Sequence, residues 1–196
     1  MRLATILTIA ALALSSGASA ATISLQGPGV PVTAGSSFFL NVNVATDSGE
    51  NIWAYQFDIL FDPAVLQFVD AKDGTFLPVA DLAFATLVWA PYTPGDGAIT
   101  GISNALSGDA PGVSGSGLLA QVQFLALAPA SATFLSPLNT ILLDSALDQL
   151  GAVTESGIQV TVNAAGPGVP EPGTFTLLGL GLAAAGLWRV RRAIPC

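Results

Sequence analysis

The sequence predicts an all-β fold, a single antiparallel β-sandwich, on three observations. Apolar and polar residues alternate with a period of two along several short runs, the pattern of a strand with one buried face. Glycine, proline, asparagine and aspartate interrupt those runs at intervals of roughly 8 to 12 residues. Between the two ends of the chain no stretch repeats as an amphipathic helix does, apart from Pro78 to Ala83, which has room for one turn.

In chain order, residues 1–20 come first. Arg2, the apolar run Leu3 to Leu14 and the small residues Ala18, Ser19 and Ala20 form a secretory signal peptide with an A-x-A pattern, cut after Ala20. About twelve apolar residues are too few to cross a hydrocarbon core of about 30 Å, which argues against a lasting N-terminal anchor. The body, residues 21–163, then unfolds as strands. Phe38, Leu40, Val42 and Val44 alternate with Phe39, Asn41 and Asn43. Ile52 to Phe61 is the clearest strand, with Trp53, Tyr55, Phe57, Ile59 and Phe61 on one face and Ile52, Ala54, Gln56, Asp58 and Leu60 on the other. Asp62-Pro63 ends it, and Asp73-Gly74 ends the next. Pro94-Gly95-Asp96-Gly97 joins Phe84–Trp89 to Ala98–Ser103 as a hairpin. The glycine-rich stretch Gly108 to Gly117 leads into a strand with Leu118, Ala120, Val122 and Phe124 inward and Gln121 and Gln123 outward. Ile158, Val160 and Val162, alternating with Gln159, Thr161 and Asn163, close the body. Residues 164–172 are a linker whose prolines and glycines cannot continue a sheet.

Charge and composition exclude much chemistry. Arg2, Arg189, Arg191 and Arg192 lie in the terminal segments, so Lys72 is the only base of the body, set against twelve of the thirteen acidic residues, a net charge of −11. Such a surface repels phosphate backbones, which argues against nucleic-acid partners. The chain has no histidine, and its one cysteine is Cys196. Ser-His-Asp and Cys-His catalysis, thiolate–imidazole zinc sites and a disulfide framework are therefore excluded. Hydrolysis by paired carboxylates has only scattered turn residues to draw on, so the chain is expected not to be an enzyme.

The tail has its own logic. Val169, Pro170, Glu171 and Pro172 form an extended collar that a protease could reach, because proline fixes its own φ and restricts the residue before it. Residues 173–188 are apolar and read as a C-terminal transmembrane helix, and the basic tail 189–196 with Arg189, Arg191 and Arg192 stays on the cytoplasmic side. Sixteen residues span about 24 Å as a helix, a shortfall that arginine snorkelling covers.

Two resemblances follow from these residues. ISLQGPGVPVTAGSSFFLNVNV, IWAYQFDILFDPAVLQFVDA and DGAITGISNALSGDAPGVSGSGLLAQVQFLAL resemble successive blocks of cohesin domains, from the opening strand through the aromatic strand with its Phe-Asp-Pro step to a glycine-led GxLxxxxF strand. The resemblance implies a jelly-roll sandwich of about nine strands, related in architecture to carbohydrate-binding modules. It also implies protein recognition, since cohesins bind dockerin modules through one face of the sandwich. Where many cohesins carry a polar Asn/Asp-type pair, this chain has Ala54 and Gln56. The tail resembles a PEP-CTERM sorting signal, which implies export, a transient stay in the inner membrane, processing by an exosortase and delivery to the cell surface or extracellular matrix.

Two binding surfaces are expected. The outward row Ala54, Gln56, Asp58 and Leu60 is the candidate face for a protein partner. Trp89 and Tyr92 are the candidates for stacking on an extracellular polysaccharide, the alternative in which the sandwich itself is the carbohydrate-binding module. No cofactor is expected. For calcium, the turn carboxylates Asp47 with Glu50, Asp70 with Asp73, Asp96 and Asp109 are the available ligands, and none has EF-hand spacing, so no metal site is assigned.

Overall fold

Alternating apolar residues become strands here because a sheet face buries every second side chain. The computed structural model describes residues 20–77 and 87–166. Residues 1–19 of the signal segment, the turn expected at Pro78 to Ala83 and the tail from residue 167 onward lie outside the described residues, and Ala20, the last residue of the expected signal, opens the first strand opposite Ala152. The chain divides into two units, Met1–Asn163 and Ala164–Cys196; the strands described below all belong to the first.

The first sheet runs β5-β7-β3-β1-β9, with β1 (Ala20–Gln26), β3 (Ser37–Ala45), β5 (Leu66–Asp73), β7 (Ser116–Ala126) and β9 (Ala152–Ser156). The second runs β2-β10-β8-β4-β6, with β2 (Val32–Thr33), β4 (Ala54–Leu60), β6 (Ala98–Ala105), β8 (Ala130–Leu143) and β10 (Ile158–Asn163). Most neighbours are antiparallel, as expected. The exceptions are β1 with β9 and β2 with β10, which pair parallel. Parallel neighbours need a long crossover, and here the intervening body of the sandwich supplies it.

One hydrophobic core lies between the sheets. Ile23, Leu40, Val42, Val122 and Phe124 face it from the first sheet, and Tyr55, Phe57, Ile59, Ile102, Leu135 and Leu142 from the second. Phe124 is the hub, stacked on Phe38 at 5.8 Å and edge-on to Phe61 at 5.1 Å. Full burial of an aromatic such as Phe57 or Phe124 contributes about 1.5–3 kcal/mol. The Tyr55 hydroxyl adds a polar tie between the sheets, donating to the Leu119 carbonyl at 2.8 Å.

The periodicity expected for β3 is observed, with Phe38, Leu40, Val42 and Val44 all buried, and in β10 Val160 and Val162 are buried with Ile158 half-buried against the core. In β7 Ala120, Val122 and Phe124 are buried as expected, but Leu118, expected inward, is half-buried and Leu119 takes the core position, because the ladder to β3 shifts register between the partners of Val42 and Asn43. The aromatic strand departs from its expected faces at two places. Ile52, placed outward by strict alternation, is fully buried, because it precedes β4 and pairs in an isolated bridge with Val113. Trp53, placed inward, is half-buried against the core. Asp58, also placed outward, is buried for a reason taken up below.

Turns follow the residues that predict them. The Asp62 carboxylate accepts from the Ala64 N–H at 2.9 Å, which closes β4 into β5. Asp96 accepts from the Thr93 N–H at 3.0 Å, and Ala90 N–H donates to the Thr100 carbonyl at 2.8 Å, so the segment before β6 does fold back on it. The longest strand, β8, carries Pro137 where sequence alternation is weak. Its ladder to β10 ends at Leu135, so the missing proline N–H removes no bond on that side.

Candidate functional site

The outer face of the second sheet is built from the register of four neighbouring segments. Gln56 of β4 lies opposite Ser103 of β6 on one side and Ile141 of β8 on the other, and Ser103 in turn bridges to Val88. Ala54 lies between Ala105 and Leu143 in the next row. These residues line a groove of about 390 Å³. Along the strands the face continues through Leu60 and Leu138, both about two-fifths exposed at 41% and 39%. Side chains of this kind lose little by leaving water, so a largely apolar face is suited to cover by another protein.

Asp58 sits in the middle of this face yet is only 9% exposed. Both neighbouring strands bulge toward it. β6 shifts register between the partners of Phe57 and Ile59, where Gly101 takes a φ of 67°. β8 shifts between the partners of Gln56 and Asp58, where Asn139 takes a φ of 53°. The carboxylate joins the two bulges, accepting from the Gly101 N–H at 2.8 Å and from Asn139 Nδ2 at 2.7 Å. Asp58 is therefore a clamp inside the face, and the accessible part of the expected row is Ala54, Gln56 and Leu60. Periodicity places Asp58 outward correctly but cannot see that both neighbours close over it.

Trp89 and Tyr92 are half-buried and pack on the core. Each meets Phe68 edge-on, at 5.8 Å and 5.3 Å, and Tyr92 also tilts against Phe61 at 6.2 Å. This packing is the role that competes with sugar stacking for the two rings.

At the end of the sandwich near Asp73, Asn104 Nδ2 donates to its Oδ1 at 2.6 Å and Leu87 N–H donates to its Oδ2 at 3.0 Å. Burial, and after it the charge of Asp73, pushes the Tyr55 hydroxyl above the ordinary tyrosine range. Asp70 and Asp73, expected in a turn, lie within β5, where the Asp70 carboxylate accepts from the Ala71 N–H beside the register shift after Phe68; Glu50 accepts from the Asp47 N–H and holds its own turn. Among the described residues no three acidic side chains come together as metal ligands. Val169, Pro170, Glu171, Pro172, Arg189, Arg191 and Arg192 lie outside the described residues.

The sequence profile of the cohesin domain matches residues 22–163, and that of the PEP-CTERM protein-sorting motif matches residues 168–192. The sorting motif marks an exported protein of the cell surface or extracellular matrix. No curated protein matches the chain. Among solved structures, a type II cohesin of Acetivibrio cellulolyticus, in complex with an X-dockerin, is similar at 17% identity and a TM-score of 0.61, covering 73% of this chain and 99% of that one. The cohesin module of a family 33 glycoside hydrolase from Clostridium perfringens is similar at 12% identity and a TM-score of 0.57, covering 76% and 98%. A non-cellulosomal cohesin of the archaeon Archaeoglobus fulgidus is similar at 14% identity and a TM-score of 0.53, covering 72% and 91%. These likenesses concern the fold. With ten strands in two sheets among the described residues and a family match across nearly all of the sandwich, the chain belongs to the cohesin family of non-catalytic binding modules and carries a PEP-CTERM sorting motif later in its sequence.

Proposed function

We propose that this protein is an adhesion module of the cell surface or extracellular matrix, which docks a protein partner on the outer face of β6, β4 and β8. A signal peptide cut after Ala20 starts its export. An exosortase then processes the tail near Val169-Pro170-Glu171-Pro172, while the apolar segment and Arg189, Arg191 and Arg192 hold it in the inner membrane. The observation that carries the docking face is the uncharged row Val88–Ser103–Gln56–Ile141 and its groove.

A partner that fits this face presents apolar side chains to Val88, Ile141 and Leu138 and a hydrogen-bonding group to Gln56. Alanine at position 54 removes one polar anchor, which favours a scaffold partner of the envelope over a cellulosomal dockerin. The test is affinity capture from the organism's surface fraction with the mature protein and with Val88→Asp/Ile141→Asp. The wild type should retain a discrete protein, and the variant, with two carboxylates desolvated on docking, should lose about a hundredfold in affinity. Equal capture by the two refutes the assignment of the face.

A further inference from the structure

The outer face of the first sheet has a different chemistry. Lys72 of β5, Gln121 of β7, Asn41 of β3 and Gln26 of β1 stand in one cross-strand row. Four strands side by side span about 14 Å, room for a short run of sugar rings. Gln121 Nε2 donates to Asn41 Oδ1 at 3.0 Å, which aligns the two amides and leaves the Asn41 NH2 and the Gln121 carbonyl oxygen for another partner. In the adjacent row Gln123 lies opposite Phe39, a residue 44% exposed. Toward the other end Asn43 faces Ser24.

From this we propose that the face across β5, β7, β3 and β1 binds a neutral polysaccharide strand. Side-chain amides each offer donors and an acceptor to sugar hydroxyls, and an exposed aromatic ring offers a stacking surface. The charge of the molecule selects the ligand. A body of net charge −11 repels a polyuronate, and this face holds one cation, Lys72, with Asp70 close by on the same edge strand. Neither a polyanion nor a polycation matches the three uncharged amides that fill the row beyond Lys72, whereas a neutral polyhydroxylated chain does. The site is separate from the docking face, which lies on the opposite sheet, so matrix polymer and protein partner bind independently.

Affinity electrophoresis of the full-length chain in non-ionic detergent tests this, with gels containing hydroxyethyl cellulose, galactomannan or dextran and with alginate as the polyanion. At least one neutral polymer should retard the protein and alginate should not. Asn41→Ala/Gln121→Ala should weaken that retardation about tenfold or more, and Phe39→Ser should weaken it as well, while Ile141→Ser leaves it unchanged. For wild-type protein, NMR should show the polymer shifting the side-chain amide resonances of Gln26, Asn41 and Gln121. Free migration in every neutral gel overturns the proposal. So does retardation that alginate reproduces, that depends on Ile141, or that survives in Asn41→Ala/Gln121→Ala.

Discussion

Removing the Asp58 carboxylate should unfasten the centre of the outer face of β6, β4 and β8, the proposed docking face. Asp58→Ala deletes the acceptor of two hydrogen bonds, from the Gly101 N–H at 2.8 Å and Asn139 Nδ2 at 2.7 Å, at a position 9% exposed. A hydrogen bond to a charged group is worth about 1.5–3 kcal/mol net, and relief from keeping a carboxylate buried offsets part of the pair, so a loss of about 3 kcal/mol is expected. For a domain of this size that corresponds to a fall in Tm of about 10 °C. Asn139→Gly removes one of the two bonds while keeping a φ of 53° that glycine adopts freely, and should cost about 1 kcal/mol. Thermal unfolding followed by near-UV circular dichroism measures both variants and their combination. Because the residues bond each other, the combined loss should fall short of the sum by about 1 kcal/mol. An Asp58→Ala protein melting within about 2 °C of the wild type, or strict additivity with Asn139→Gly, would show that the two bulges do not depend on the carboxylate.

Three further outcomes are expected. Gly74→Ala puts a Cβ onto the Leu118 carbonyl, where backbone lies on the far side, and should destabilise the sandwich by about 3 kcal/mol, seen as a lower denaturation midpoint. Tyr55→Phe should cost about 1 kcal/mol at neutral pH by removing the bond to Leu119. Because the folded-state pKa of Tyr55 is raised above the ordinary 10.0, its contribution is whole below about pH 10 and is lost as pH rises further, so alkaline unfolding should set in later, relative to neutral pH, in the phenylalanine variant. Mass spectrometry of the surface pool should find a chain beginning at Ala21 and lacking Arg189, Arg191 and Arg192; an intact terminus at Cys196 there contradicts processing.

The strands that read clearly from sequence are those whose two faces meet different solvents. In β3 and β10 the alternate residues Phe38, Leu40, Val42, Val44, Val160 and Val162 are apolar and buried while most of their neighbours are polar, so alternation locates the core face. β8 gave no such signal, since Phe134, Leu138 and Ile141 are apolar and exposed and Pro137 interrupts the run. That same absence of alternation is what brings β8 into the proposed docking face, since a surface that a partner covers does not need the polar half of the pattern. Register is the other quantity a single strand cannot supply. Gln56 was recognisable as outward, but its neighbours Ser103 and Ile141 come from segments about 45 and 85 residues away, joined only by the ladder. Asp58 shows both limits together, because its direction follows from parity and its burial follows from bulges in two other strands.

The placement of charge separates the edges of the sandwich from its two faces. The charged residues of the strands are confined to β5, with Asp70, Lys72 and Asp73, and β9, with Glu155, apart from the clamped Asp58. Those two strands are the edges of the first sheet. Charge on an edge strand opposes pairing with another chain's backbone, which protects an exported protein from edge-to-edge association. The second sheet guards its edges differently: β2 is two residues long, and β6 is flanked by the Val88–Ala90 segment. The remaining carboxylates sit mainly in turns, at Asp47, Glu50, Asp62, Asp96, Asp109, Asp144 and Asp148. Copies of the molecule therefore repel one another through ends and edges while two broad neutral faces stay open. Contacts on those faces are short-range and made without ion pairs, so raising salt should weaken the repulsion between copies and leave partner binding largely intact.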